Sequence, residues 1–346
     1  MSLIFCATLN ARRTQFSKIV EEVNLKAAGW TAQLSPDIDY EDDDSLTGRL
    51  GALSITEEQA QAEIAEINSR KNSTSIPSTN EPASDFPKGP RKLQAVAANY
   101  PASLDLRSKY PACRSISMIR NQGTCGACWS FATMNSLSDR WCIAKSGQTA
   151  NEKFFSVEDP LECCAACHSG AAHGCIGGLP SQAYKYARDV GVSTGEISSI
   201  GNGLCKPYFL EYTKGKAPPA CQNSCKNSDK YPVNYTLDRT KIKGYSLGKG
   251  EAQMIAALNN GGSVTMAITV YQDLYSYNSG IYRYVSGDKL GGHAVRVIGY
   301  GVSNGVKYWL IANTWGIGWG ENGFFRMLRG TDECGGESSY FTYAQI

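Results

Sequence analysis

Apolar positions near the start of the chain repeat at helical spacing. Phe16, Ile19, Val20, Val23 and Leu25 recur every three to four residues or nearly so, which predicts a partly amphipathic helical region over 14–70. Within it, Thr56-Glu57-Glu58 opens a second, Ala- and Glu-rich helix running to Ser69. An acidic patch from Asp37 to Asp44 separates the two. Residues 71–97 then turn polar and proline-rich, with Asn72-Ser-Thr-Ser-Ile-Pro and Ser84-Asp-Phe-Pro-Lys-Gly-Pro, the composition of an exposed, cleavable linker. Structured sequence resumes near Tyr100. Helices are expected at 128–143 and 180–190, with a Cys- and Gly-rich stretch of short elements over 160–230. From 262 onward the pattern becomes that of strands: Ser263 to Val270, His293 to Gly299, and Val306 to Ala312. The last two flank Ser303-Asn304-Gly305, a hairpin turn. A helical half followed by a β half predicts an α+β fold of two lobes with a cleft between them.

Leu3-Ile4-Phe5-Cys6-Ala7-Thr8-Leu9 is a short apolar stretch with no basic residue before it. It makes residues 1–15 a candidate truncated or degenerate signal segment. Residues 16–97 then form a leading region with its linker, and 98–346 the main body. The 346 residues carry a net charge of only +2. With no dense Lys/Arg stripe, nucleic acid is excluded as the main partner, and no apolar run approaches the ~20 residues that span a bilayer. The charge divides unevenly. Residues 1–97 hold ten Lys/Arg against fourteen Asp/Glu, and the rest 24 against 18, as an acidic cover on a basic body would. Two unrelated solvated regions would show the same split.

Twelve of the thirteen cysteines lie between Cys113 and Cys334, a density that points to a disulfide framework formed in an oxidising compartment. Sequons at Asn72 and Asn234 are glycosylation candidates that fit secretory traffic. His168 and His173 stand among Cys163, Cys164, Cys167 and Cys175. Zinc is the competing reading there, and disulfides are preferred, so no metal or cofactor is expected.

The densest chemistry is Gln122-Gly-Thr-Cys125-Gly-Ala-Cys128-Trp-Ser-Phe131. A thiol nucleophile acts as its thiolate, and a helix N-terminus favours that anion. Cys128 stands where an apolar helix begins, after a Gly-rich turn whose free N–H groups can hold an oxyanion, with Gln122 as a further donor. A thiolate also needs a base. His293 is the one histidine outside the cysteine cluster, and its hairpin brings it near Asn313, whose amide can orient the ring.

Gln122…Cys128-Trp129, Gly292-His293-Ala294 and Asn313-Thr-Trp315-Gly…Gly318-Trp319-Gly-Glu-Asn-Gly323 resemble the papain-type cysteine proteases, which share the order Cys, His, Asn. Cys163-Cys164, Cys175-Ile-Gly177-Gly178-Leu-Pro180 and Asp332-Glu-Cys334-Gly-Gly-Glu337 narrow the likeness to the cathepsin B branch. Val23-Asn-Leu-Lys-Ala-Ala-Gly-Trp30 resembles that branch's propeptide. The resemblance implies a papain-like two-lobe fold with a helical left lobe, a β-barrel-like right lobe and an N-terminal helical propeptide. It also implies hydrolysis of protein and peptide substrates. Cys128 would attack the carbonyl, His293 shuttle its proton, Asn313 hold the ring, and Gln122 with the Cys128 N–H bind the oxyanion. Gly177 and Gly178 would pair with the substrate backbone, Gly292 and Ala294 flank the site, and Trp315 shield the His–Asn contact. Glu337 would sit at the floor of the main specificity pocket and accept basic side chains.

The same likeness suggests bridges Cys113–Cys142, Cys125–Cys175, Cys163–Cys221, Cys164–Cys167 and Cys205–Cys225. It suggests the propeptide and cystatin-like proteins as inhibitors, and a lysosome- or vacuole-like acidic compartment or the extracellular space. One departure matters. Cathepsin B has an occluding loop with a His-His pair that grips a substrate's terminal carboxylate, whereas residues 206–220 contain no histidine and no cysteine. Endopeptidase activity is therefore expected to outweigh dipeptidyl carboxypeptidase activity, unless Lys206, Lys214 or Lys216 replaces the pair. A catalytically silent binding or scaffold relative is the alternative.

Overall fold

The structure, a computed structural model, describes residues 2–26, 28–35, 43–73, 100–168, 173–196, 204–208, 217–226, 231 and 233–346. Its first helix, α1 (Ser2–Leu25), turns Phe16, Ile19 and Val23 onto one buried face, while Leu25 at its end is exposed. Residues 2–15, expected as a leader, are the first part of this helix. A strand not expected from the pattern, β1 (Trp30–Ala32), follows, and then α2 (Asp43–Gly48) and α3 (Glu57–Ser73). Thr56 caps α3 reciprocally with Gln59: the Gln59 N–H donates to the Thr56 hydroxyl at 3.1 Å, and the Thr56 N–H to the Gln59 amide oxygen at 3.0 Å. Residues 37–42 of the acidic patch and 74–97 of the expected linker lie outside the described residues.

The body begins with short elements, β2 (Leu104–Asp105), α4 (Leu106–Lys109) and α5 (Arg114–Ser117). The helical lobe holds α6 (Cys128–Ala144), α7 (Glu158–Cys163), α8 (Pro180–Asp189) and α9 (Tyr235–Asp238). Pro180 stands at the first turn of α8, where its missing N–H costs nothing. Trp129, Phe131, Leu137, Phe155 and Tyr184 form this lobe's core.

The sheet lobe adds β3 (Gly244–Lys249), α10 (Glu251–Gly261), β4 (Val264–Tyr271), α11 (Gln272–Tyr275), β5 (Tyr277–Tyr282), β6 (Lys289–Ser303), β7 (Val306–Ala312), β8 (Phe324–Leu328) and β9 (Tyr340–Gln345). Strand order is β1-β5-β8-β7-β6-β4-β9-β3, with β2 on β6. All pairs are antiparallel except β5 with β8. Asn304 and Gly305 join β6 to β7 with positive φ at both positions, as a two-residue hairpin turn requires. Phe16, Ile19, Val23 and Trp30 of the N-terminal region share one apolar core with Ile268, Val297 and other sheet residues.

Five disulfides join the pairs implied by the resemblance: Cys113–Cys142, Cys125–Cys175, Cys163–Cys221, Cys164–Cys167 and Cys205–Cys225. Among the described side chains, Cys128 and Cys334 are the free, buried thiols. The lobes are registered by a buried ion pair. Arg296 of β6 donates to both Asp139 oxygens of α6 at 2.9 Å, and to the carbonyls of Ser115 and Met118. Asp139 shares its helix with Cys128, and Arg296 lies three residues beyond His293, so this pair sets the thiol against the imidazole.

Candidate active site

The turn before α6 is pinned by the Cys125–Cys175 bridge and by the Gly126 N–H on the Cys175 carbonyl at 2.9 Å. It delivers Cys128 to the first position of the helix, fully buried. The N–H groups of Ala294, Gly51, Trp129 and Cys128 itself favour its anion. Burial outweighs them and pushes the thiol up to about 11.

His293 sits inside β6. Its Nε2 lies 2.8 Å from Asn313 Oδ1, and that oxygen also accepts the Thr314 N–H at 2.8 Å. The second donor identifies the Asn313 atom as the oxygen, so Nε2 carries the ring proton and Nδ1 keeps its lone pair. Nδ1 has no hydrogen-bond partner among the described residues. The next residue, Ala294, directs its N–H at the Cys128 sulfur. Trp315 covers the imidazole at 4.9 Å between ring centroids and is backed by Tyr275 at 4.7 Å. Water is thus kept from the His293–Asn313 bond. Burial holds the imidazole down to about 4, opposed by Asn313 and assisted by the Arg49 charge.

Gln122 is fully buried. The Thr314 hydroxyl donates to its Oε1 at 2.5 Å, so Nε2 is the edge turned to the cleft. That group donates at 2.8 Å both to the Cys125 carbonyl and to the Arg49 carbonyl of the N-terminal region. Residues 49–53 follow this contact along the cleft. The Gly178 N–H donates to the Gly51 carbonyl at 2.8 Å, the Leu53 N–H to the Gly178 carbonyl at 3.0 Å, and the Ala52 N–H to the Gly292 carbonyl at 3.1 Å. The backbone groups expected to hold a substrate therefore hold the chain's own residues. Gly177, also expected to pair, adopts φ +149° beside the Gly51 carbonyl.

Residues 100–344 match the family model described as papain family cysteine protease. The chain is 43% identical over 250 residues to cathepsin B-like cysteine proteinase 4 of Caenorhabditis elegans, covering 68% of this chain and 72% of that one. It is 40% identical over 252 residues to a gut-specific cysteine proteinase of the same organism, covering 71% and 74%. Procathepsin B S9 from Trypanosoma congolense superposes with a TM-score of 0.73 at 28% identity, over 95% of this chain and 97% of the other. The chain belongs to the papain family of cysteine proteases. It is a cathepsin B-like cysteine peptidase, and the structural match extends through the N-terminal region, as in a procathepsin.

Not every expected site residue joins this cysteine protease's cleft. Glu337 does not reach the pocket beside Gly178. Its carboxylate accepts the Trp309 indole N–H at 3.0 Å, the Gly330 N–H at 2.7 Å and the Asp332 N–H at 3.1 Å, which closes its own loop. Ser338, Ser339 and Tyr340 line the pocket instead. The loop turns Glu337, the last of its three carboxylates, back onto Trp309 and its own backbone, and presents only the residues after it to the pocket. Lys206, considered for a carboxylate-binding role, is buried against Asp159 at 3.3 Å and Glu162 at 3.4 Å. Lys214 and Lys216 lie outside the described residues. The cysteines around His168 and His173 are bridged to other cysteines, and His168 packs edge-on to Trp129. Asn234 is exposed and caps α9 by accepting the Thr236 N–H at 2.8 Å, whereas the side chain of Asn72 lies outside the described ones. Thr314, which fixes Gln122, and residues 49–53, which fill the cleft, went unrecognised. Neither carries a periodicity or a charge pattern that sets it apart.

Proposed function

We propose that the chain is the zymogen of an endopeptidase in which Cys128 is the nucleophile and His293 its base. The carrying observation is the unpartnered Nδ1 of a histidine whose Nε2 is committed to Asn313, next to the residue whose N–H meets the Cys128 thiol. In the uncovered site the thiol proton moves to Nδ1 and the sulfur forms a bond to the scissile carbonyl carbon. The resulting oxyanion accepts from Gln122 Nε2 and the Cys128 N–H. On collapse the C–N bond breaks, and the imidazolium delivers its proton to the departing amine. Water then releases the acyl group with His293 again as base. Asn313 positions the ring, Trp315 shields it, and the backbones of Gly177, Gly178 and Gly292 hold an extended substrate, with Ala294 beside the sulfur.

Residues 16–97 act as the removable inhibitor and 98–346 as the mature enzyme, in an acidic compartment or outside the cell. Cystatin-like proteins are further candidate inhibitors of the open cleft. Endopeptidase action is favoured because residues 206–220 supply no histidine and Lys206 is engaged elsewhere. The test is mass spectrometry of acid-treated protein with an epoxide thiol inhibitor. A new N-terminus within 71–99 and one adduct, lost in Cys128→Ala, are expected. Processed protein that takes no adduct would favour the silent scaffold relative.

A further inference from the structure

Beside Gly178, on the cleft wall, lies a cavity whose body-side lining includes Pro180, Ala267, Ser338, Ser339, Tyr340 and Lys249. Among its described lining residues the only carboxylate is Glu57, and that belongs to the N-terminal region. Glu57 is bound from the body at two points. The Tyr340 hydroxyl donates to it at 2.7 Å, and the Lys249 ammonium lies 3.2 Å away. These contacts, with Gln61 between them in effect, hold its carboxyl down to about 2. Glu337 is not among the residues lining the pocket; its carboxylate accepts the Trp309 indole N–H and two backbone N–H groups on its own loop. Removal of the N-terminal region would strip the pocket of its negative charge and leave a cation, a phenol and serine and threonine hydroxyls around it.

We infer that this pocket selects an acidic side chain, Asp or Glu, on the substrate residue whose backbone pairs with Gly178, with Lys249 and Tyr340 taking up the contacts they make with Glu57. The inference rests on the protease reading above and names its substrate class. It reverses the preference for basic side chains that a carboxylate at the pocket floor would produce. Lys249 is partly exposed at 44% of its side chain. The expected gain is therefore that of a partly solvated ion pair, roughly two- to fivefold in kcat/KM for Glu over Gln at that position, with Arg below both.

The test digests a proteome-derived peptide library with processed enzyme and then compares matched Glu, Gln and Arg substrates. Enrichment of Asp and Glu at one position on the acyl side of the cleaved bond is expected. Lys249→Glu should invert the order of the Glu and Arg substrates, and Ser339→Glu, which adds a carboxylate inside the pocket, should raise cleavage of the substrate with Arg at that position. Epoxide labelling of Cys128 in each variant establishes that its site is assembled. Cleavage with an Arg preference or with no charge preference, or an order unchanged in both labelled variants, overturns the inference alone. Processed wild-type protein that neither labels nor cleaves overturns the protease reading and this inference with it.

Discussion

A side chain at position 51 has nowhere to go: a Cβ there would stand 1.9 Å from the Gly126 carbonyl oxygen in the turn that leads to the nucleophile. The inhibitory strand can lie against the thiol only because that residue is glycine. Gly51→Val should therefore displace the strand at a cost of about 1–3 kcal/mol, the usual range for overpacking. A synthetic peptide spanning residues 43–73 with this change is expected to inhibit the processed enzyme roughly 5- to 150-fold less well than its parent; equal inhibition constants would refute the contact. The same strand shapes the chemistry beneath it. Burial in this covered state pushes the Cys128 thiol up and holds the His293 imidazole down, both toward their neutral forms. Cover and electrostatic disarming are thus one effect.

Three carboxylates of one helical region dock α3 on the body. Glu63 accepts from Ser181 at 3.0 Å, Gln182 at 2.6 Å and the Tyr245 hydroxyl at 3.1 Å. Glu66 meets Lys185 at 2.8 Å and Arg188 at 2.9 Å, and Glu57 meets Lys249 and Tyr340. Lys185 first, and Arg188, hold the Glu66 carboxyl below its ordinary 4.5. A depressed carboxyl stabilises docking above its ordinary pKa and loses that contribution as pH falls through the depressed value. His293 works in the same direction and earlier. Its covered form is held at about 4 against an ordinary 6.5, so the covered state loses stability as pH falls between those values. Opening is expected to begin below about pH 6.5 and to strengthen below 4.5. In a Cys128→Ala precursor, which cannot cut itself, susceptibility of the N-terminal region to an added protease should rise over that window. Glu66→Gln should shift the rise to higher pH, and a flat profile would contradict the docking role. Of these elements, α3 with its Thr56 start was readable from its Ala- and Glu-rich composition, and helices were expected over 128–143 and 180–190, where α6 and α8 stand. β1, β3 and β9 were not. Their three to six residues mix Gly, Ser, Thr and aromatics, and they become strands through the ladders they join rather than through a pattern of their own.

At the scale of the molecule, the catalytic geometry depends on how a helix of one lobe meets a strand of the other. The Arg296–Asp139 pair does this in a dry interface, where losing one partner strands a charge. Arg296→Ala is expected to cost about 3–5 kcal/mol, read as a lower unfolding midpoint in thermal or denaturant melts of the zymogen; a change under about 1 kcal/mol would show that the lobes are registered by packing alone. The Cys, His and Asn of the site were legible because local rules single them out: a thiol at a helix start, an isolated histidine at a strand, an amide after a hairpin. What fills the cleft, and which loop residue faces the pocket, was not. Glu337 illustrates why, since whether a carboxylate turns toward a cavity or back onto its own loop depends on long-range neighbours such as Trp309. The sheet itself is shared across the proposed cleavage boundary, for β1 pairs with β5 through Trp30 and Gly280, and Trp30 packs on Tyr282 at 5.1 Å. Once that borrowed strand departs, Tyr277 to Gly280 become a raw margin of unpaired amides and carbonyls flanked by bared aromatic rings. On the proposed processing the mature protease would thereby acquire a groove open to any extended chain that reaches it, including one from a neighbouring copy of itself.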